Sequence, residues 1–418
     1  MPKGPRPKGA SDSVSHPFQS LRHRNFRLFI SGQLVSMVGT WIQLFAQSWL
    51  VYRITGSATA LGLIAFASQA PILLLSSVTG VIVERLDTRR LLLATQTLSL
   101  LLALGLGSLV VLHTVQFWHV LVAAIGLGLV NAFDYPARQV LVAGLVPKND
   151  LMNAIALNST LISGARVVGP AIGGFLVAML GEGGCFMLNA LSYAGVIWAL
   201  TLIPGLPRNH TNAHQNNALH EAGEGFGFVA RNLPIRHMLL LSGCLSLLGT
   251  AYTVLGPIYA DHVLRGGPRT FGLLLSAAGT GALAAAFTLI MRRSTHGLPT
   301  WVAGASLLFG AALTGFARSH NLQLSLVFLV LVGFGFMIQM TSVNTLIQER
   351  APDHFRGRIM SIYALMNLGM VPIGGLLVGY LAKLLGPIST MTLAGTLSSI
   401  AGLAYMVNLP RWPKLASP

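Results

Sequence analysis

Acidic residues are scarce in this 418-residue chain, with eleven Asp and Glu against 27 Lys and Arg. The four charged types together make up 9% of it, where a soluble globular chain carries roughly 25%. Most residues of a soluble domain must meet water, so a chain this poor in charge and 53% hydrophobic cannot hide its apolar side chains in one aqueous core. Lipid is the solvent for most of it. Cysteine is nearly missing as well. Cys185 and Cys244 lie apart in apolar segments, which excludes a disulfide framework and a cysteine metal site. No lysine follows a glycine: Lys3, Lys8, Lys148 and Lys414 follow Pro, and Lys383 follows Ala. A Walker A phosphate loop is thereby excluded, and with it ATP hydrolysis by that device. GxSxG, HExxH and CxxC are absent too, so no enzyme and no cofactor is expected.

What the chain does have is apolar runs. They fall at 26–50, 59–83, 91–112, 118–143, 152–180 and 184–203, then at 237–260, 270–291, 300–317, 321–346, 357–382 and 388–409. Each is long enough to cross a hydrocarbon core of about 30 Å as a helix. The expected fold is an all-α integral membrane protein, with twelve transmembrane helices in two pseudo-symmetric six-helix bundles. The bundles are expected at 25–203 and 237–410, with a disordered basic tail at 1–24, a cytoplasmic linker at 204–236 and a second tail at 411–418. The first two dozen residues have no short apolar core with a cleavage site, so the first span is read as the insertion signal. Within the linker, Gly223–Arg236 reads as an amphipathic helix along the membrane face. His210 and His214 stand four apart in a polar, Asn-rich stretch that favours no metal site, and none is expected.

The net charge of +16 would point to nucleic acid in a soluble protein. Here the basic residues sit in short loops, and no nucleic-acid motif accompanies them. With the N-terminus inside, 21 of the 27 Lys and Arg fall on the cytoplasmic side. Arg53, Arg265, Arg269, Arg318 and Lys383 fall outside, and Arg166 lies within a span. That asymmetry places both termini in the cytoplasm. The halves also repeat: the segment from Val146, VPKNDLMNAIAL…GPAIGGFLVAMLG, recurs from Ala351 as APDHFRGRIMSIYAL…VPIGGLLVGYLAKLLG. Both pieces are a cytoplasmic loop followed by an outward helix, so the repeat is parallel, a known transporter architecture.

Two motifs sharpen the reading. After the second span comes Gly80-Val-Ile-Val-Glu84-Arg85-Leu-Asp87-Thr-Arg89-Arg90. It resembles the loop signature of the major facilitator superfamily, with Glu84 in place of Asp and Asp87 in place of the second Gly. The carboxylate and arginines could lock the two bundles together on the cytoplasmic side and part during the conformational switch; a generic positive-inside loop is the alternative. On the fifth span, Ala156, Ala165, Gly169, Pro170, Gly173 and Gly174 resemble the superfamily's antiporter signature, with Ala at its first two glycines. Small residues four apart admit a neighbouring backbone, and Pro170 kinks the helix. NAFDYPARQVLV from Asn131, followed by ALNSTLISGARVVGPAIGG from Ala156, looks like the bacterial subgroup holding the enterobactin exporter and macrolide efflux proteins.

The resemblance implies alternating access around a central cavity lined by the first, fourth, seventh and tenth helices. On the first, Gln33, Ser36, Thr40, Gln43 and Gln47 form one polar stripe expected to face water and substrate, with interhelical bonding as the alternative. Ser242, Ser246, Gly249 and Thr253 on the seventh, and Thr341, Thr345 and Gln348 on the tenth, repeat the pattern. An arginine in lipid is costly, so Arg166, with Asn158, Ser159 and Ser163 on or near its face, must meet the cavity or a partner. Asp134 is its nearest acidic candidate, yet Asp134 shares a helix face with Arg138 and Asn131, and can pair locally or carry a proton. The chain is thus read as a monomeric bacterial inner-membrane exporter of a small amphipathic or anionic solute, with lipid, substrate and protons as partners. Uptake by symport, and a non-transporting scaffold or sensor, are the alternatives.

Overall fold

The computed structural model describes residues 19–204, 218–292 and 294–409, without the side chains of 77, 81, 84 and 218–222. The linker pair His210 and His214 and the tail at 411–418 lie outside the described residues. Among those described, every regular element is helical. In chain order these are α1 (Arg24–Thr55), α2 (Ala58–Arg85), α3 (Thr88–Val111), α4 (Phe117–Gly144), α5 (Leu151–Leu202), α6 (Ala218–Arg231), α7 (Leu233–Gly249), α8 (Ala251–Val254), α9 (Gly256–Ile258), α10 (Pro268–Met291), α11 (Leu298–Arg318), α12 (Leu322–Arg350), α13 (Asp353–Ala364), α14 (Met370–Leu385) and α15 (Pro387–Asn408).

Eleven helical stretches are long and apolar enough to cross a membrane. The longest, α5, doubles back at Gly181 (φ 71°, ψ 175°), a left-handed conformation that glycine adopts freely, and so supplies two spans. That makes twelve. Arg53 grips Glu182 beside the bend through two hydrogen bonds of 2.7 and 3.3 Å. Two spans expected as continuous helices are broken. The seventh runs through α7, α8 and α9 into a π-helical turn at Tyr259–Val263, and the eleventh passes from α13 through a π turn at Leu365–Gly369 into α14. Such turns are common at functional sites.

Helix starts follow local chemistry. Ser57, Asp87, Asn232 and Asn321 each cap a first turn by accepting a backbone N–H, satisfying donors the helix cannot. The stretch expected to be disordered through residue 24 is ordered from Gln19, because Ser20 bonds Asn153 Oδ1 through both its amide (3.0 Å) and its hydroxyl (2.7 Å). In the linker, α6 docks on α13: Phe228 stacks on Phe355 at 4.8 Å and Arg358 donates to Glu224 at 2.6 Å.

In the first half α1 and α3 pack on α5, and α2 packs on α4; in the second α10 and α11 pack on α12, and α15 on α11. The halves meet along α2 with α14 and α5 with α10. Each pair crosses at glycines. A Cβ on Gly174 would stand 2.7 Å from Pro268 O and 3.0 Å from Gly272 Cα; one on Gly379 would stand 2.6 Å from Ala58 O and 3.0 Å from Gly62 Cα. The register that sets Val146 against Ala351 sets Gly174 against Gly379, so the two crossings are equivalents in the repeat. Both lie towards the face of the bundle that carries Gly181 and the ends of α1 and α14, called here the far face. The opposite, terminal face carries the starts of α1, α3 and α13.

Candidate functional site

The far face is closed between the halves. Phe45 of α1 stacks on Phe271 of α10 at 4.7 Å, Trp49 lies 6.4 Å from the same ring, and Tyr52 donates a short hydrogen bond to Asp261 of the π turn. Below this seal, α1, α5 and α8 surround Arg166, which stands midway along the first arm of α5.

Arg166 is exposed, with its guanidinium 5.7 Å from the centre of the Trp41 ring, and its charge reaches Tyr252 of α8. It therefore lies near one aromatic of each half. Among the described residues no carboxylate lies within ion-pair distance of it. Asp134 is committed elsewhere: its Oδ1 accepts from Thr95 Oγ1 and Gln96 Nε2, both at 2.7 Å, and its Oδ2 is held by Arg138 one turn along α4. Of the two pairings left open for Asp134, the local one forms. Asn158 is half-buried on the same arm as Arg166, and Ser159 and Ser163 are exposed.

The polar stripe of α1 requires a correction. Gln33, Ser36, Gln43 and Gln47 are 1–3% exposed and do not reach the space between the halves. They turn into the first half, where Gln43 accepts from Asn189 (2.6 Å) and Thr40 lies 3.4 Å from the Tyr193 hydroxyl. The physical reason is that α1 borders both the cavity and its own bundle, and the cavity side is filled by Trp41, Phe45 and Trp49. On the seventh span Ser242 and Ser246 are likewise buried, against Gln339 (2.9 Å) and Asn367 (3.3 Å). Thr253, Thr345 and Gln348 are exposed, and Gln348 donates to Asn344 at 2.6 Å.

The antiporter-like segment works as a two-sided packing surface. A Cβ on Gly169 would meet Trp41 Cβ at 2.3 Å and one on Gly173 the Phe45 ring at 3.1 Å, while Gly174 faces α10 across the halves. Ala165 is buried and Ala156 exposed, and Pro170 lies inside the helix. In the loop after α2, Asp87 (φ −67°) caps α3 by accepting the Arg90 N–H at 3.0 Å, so no glycine is needed there. Arg89 donates to the Leu200 and Thr201 carbonyls at 2.8 and 2.9 Å, within its own half. Arg85 is exposed, nothing crowds Gly80, and the Glu84 side chain lies outside the described atoms. Trp41 and Tyr252 carried no signal in the sequence, since single aromatics in apolar spans do not announce what they face.

Comparison with known proteins agrees with this geometry. Residues 15–417 match the model of a family described as transmembrane secretion effectors. The chain is 27% identical to the staphyloferrin A transporter of Staphylococcus aureus, over 91% of this chain and 96% of that one. It is also 27% identical to the multidrug efflux pump Tap of Mycolicibacterium fortuitum, over 93% and 96% of the two chains, and 23% identical to macrolide efflux protein A of Streptococcus pyogenes, over 90% and 94%. Among solved structures, the nucleoside transporter NupG superposes with a TM-score of 0.72 at 11% identity, covering 91% of this chain and 98% of that one. A bacterial homologue of ferroportin in an inward-facing state superposes with a TM-score of 0.67 at 17% identity, covering 91% and 98%.

Proposed function

The chain belongs to the transmembrane secretion effector family of major facilitator transporters, and we propose that it exports a small anionic or neutral amphipathic solute across the bacterial inner membrane by proton-driven alternating access. One observation carries this reading: Arg166 stands midway along its span beside the Trp41 ring of one half and within electrostatic reach of Tyr252 of the other, with no carboxylate partner among the described residues. A guanidinium so placed favours a carboxylate or phenolate and repels cations. Its aromatic neighbours favour an apolar body on the same solute.

The excess of basic residues on the terminal face supports a cytoplasmic location for that face. With the far face sealed, the molecule is then poised to take its solute from inside. Rocking of the halves about the two glycine crossings would open the far face and bring the loop from Gly80 to Arg90 against the second half. Arg85, exposed and without a bond to the described residues of its own half, is the residue of that loop best placed to engage.

Everted membrane vesicles test this. Uptake of a carboxylate-bearing dye such as carboxyfluorescein, set against a cationic dye of like size, should require an imposed pH gradient, acid inside. Uptake abolished or reversed by that gradient would point to symport. Flux equal to that of empty vesicles for every solute tried would point to a scaffold or sensor.

A further inference from the structure

The first half holds a second polar site that the cavity between the halves does not use. Near the terminal face its interior is apolar, with Phe26, Ile30, Leu92, Ala137, Leu141, Val196 and Leu200 packed together. One helical turn deeper the chemistry changes. Gln33 follows Ile30, Gln96 follows Leu92 and Asp134 precedes Ala137 at three- or four-residue steps, which keeps all three on the same inward faces. All are 1% exposed.

The bonds described above satisfy Asp134 Oδ1 and leave Oδ2 with its ion pair to Arg138 alone, and much else is unmet. Both amide atoms of Gln33, Ser36 Oγ, Gln96 Oε1 and Gln47 Oε1 are buried with no hydrogen-bond partner in the protein. Native interiors leave few such groups unmet, and several along a single helix face call for an explanation such as bound water. The face continues through Thr40 beside Tyr193 and Gln43 beside Asn189. Gly39 leaves the room that Asn189 Oδ1 and Ser192 Oγ occupy, since a Cβ there would meet them at 2.4 and 2.8 Å.

The second half supplies an internal control. Gln339 stands where the repeat register sets Asp134, and bonds Ser242. Its Oε1 and Ser342 Oγ are also without partners, but the layer carries no charge. Among the described residues, only the first half places a carboxylate at this level.

We propose that the face from Gln33 to Gln47 holds an ordered file of water inside the first half, separate from the solute cavity, and that Asp134 exchanges its proton through it. A proton delivered by the nearest water binds Asp134 Oδ2, giving the neutral acid, and frees Arg138; its return to water restores the carboxylate and the ion pair. Besides Arg138, the titratable group beside Asp134 is Tyr135, which in turn neighbours Tyr193, while α1 and α3 present only uncharged polar side chains at this level among the described residues. This proton role rests on the proton-driven reading above; the file itself does not.

The test uses the full chain in lipid nanodiscs and no solute. Radiolytic hydroxyl-radical labelling marks side chains beside bound water, so Tyr193, though 4% exposed, should be oxidised. The pair Gln33→Leu with Gln96→Leu should cut that labelling severalfold. An unmarked Tyr193 in the parent, or marking indifferent to the pair, overturns the file. So does a rise in Tm for the pair with labelling unchanged, the result for dry amides that merely destabilise. For the proton, an infrared carboxylic-acid band should vanish in Asp134→Asn with Arg138→Gln, a double change that leaves no buried charge unpaired. Deuterium exchange of that band should slow severalfold in the Leu pair. Absence of the band in acid and alkaline buffer alike, or exchange at the parent rate, overturns the relay. Since no transport is measured, failure of the export reading would leave these results standing, and their failure would leave export untouched.

Discussion

Adding one methyl group at Gly174 should open the far face. The new Cβ would stand 2.7 Å from Pro268 O and 3.0 Å from Gly272 Cα. Both are backbone atoms, so neither can rotate away, and α5 and α10 must part. Overpacking of this kind costs about 1–3 kcal/mol. Alanine also favours the helix over glycine, by roughly 1 kcal/mol, but does so whichever face is open and cancels from the comparison. At about 2 kcal/mol the ratio of far-face-open to far-face-closed molecules rises roughly 30-fold. Gly379→Ala, which meets Ala58 O at 2.6 Å and Gly62 Cα at 3.0 Å, should do the same. Spin labels on Thr114→Cys and His320→Cys, exposed far-face positions of opposite halves, report the change once Cys185 and Cys244 are replaced by Ala. Electron–electron resonance should show the longer distance gaining population in both variants. Unaltered distance distributions in two correctly inserted Gly→Ala variants would refute the crossing as the closure point.

Arg166→Lys keeps the charge but loses the planar group held over Trp41, so apparent affinity for a carboxylate dye should fall a fewfold, and further for Arg166→Gln. Because no partner is left unpaired, Tm should hold within error in both; full transport by Arg166→Gln would remove Arg166 from the site. Tyr52→Phe or Asp261→Ala each removes a half-exposed hydrogen bond across the halves worth about 1 kcal/mol, and should shift the same spin-label distances severalfold less than Gly174→Ala, with no further shift when combined. Reporter fusions after Arg90 and Arg231 should read cytoplasm and fusions near His113 and Arg318 the outside, the reverse being incompatible with the charge asymmetry.

Spans could be read from the sequence because a hydrocarbon core sets a minimum length and admits few charges. The parallel repeat could be read because the register that aligns Val146 with Ala351 carries through to equivalent backbone crossings at Gly174 and Gly379. Breaks in the seventh and eleventh spans were less visible, although Gly256-Pro257 marks one of them. The stripe from Gln33 to Gln47 shows where reading fails. Periodicity proves that five polar residues share a helix face, but α1 has two buried sides, and only tertiary packing decides which one the face meets. Asp134 and Arg138 were within reach because four residues on a helix is local geometry. Tyr52 and Asp261 were not, since nothing in either segment records that the far face brings them together.

Closure and charge follow different symmetries in this molecule. The glycine crossings are equivalent in the two halves, so the contacts that shut the far face are shared evenly between α2–α14 and α5–α10. The charged groups are not shared. The register that pairs the crossings sets Asp134 against Gln339 and Arg166 against Val371, so the first half holds both the buried acid and the guanidinium that has no carboxylate partner among the described residues. A ligand or proton can bias two conformations only through a difference in its interaction with each. On the proposed mechanism that difference must arise in the first half, at Arg166 for the solute and at Asp134 for the proton. The second half would then serve as the surface against which the first rocks, contributing Tyr252, Phe271 and the π turn at Tyr259–Val263 but no charge at mid-membrane depth among its described residues. Two groups on one rigid half can feel each other without a path through the interface. Arg166 and Asp134 lie on α5 and α4, whose packing with α1, α3 and α2 joins them in one body, so solute and proton would act on the same lever.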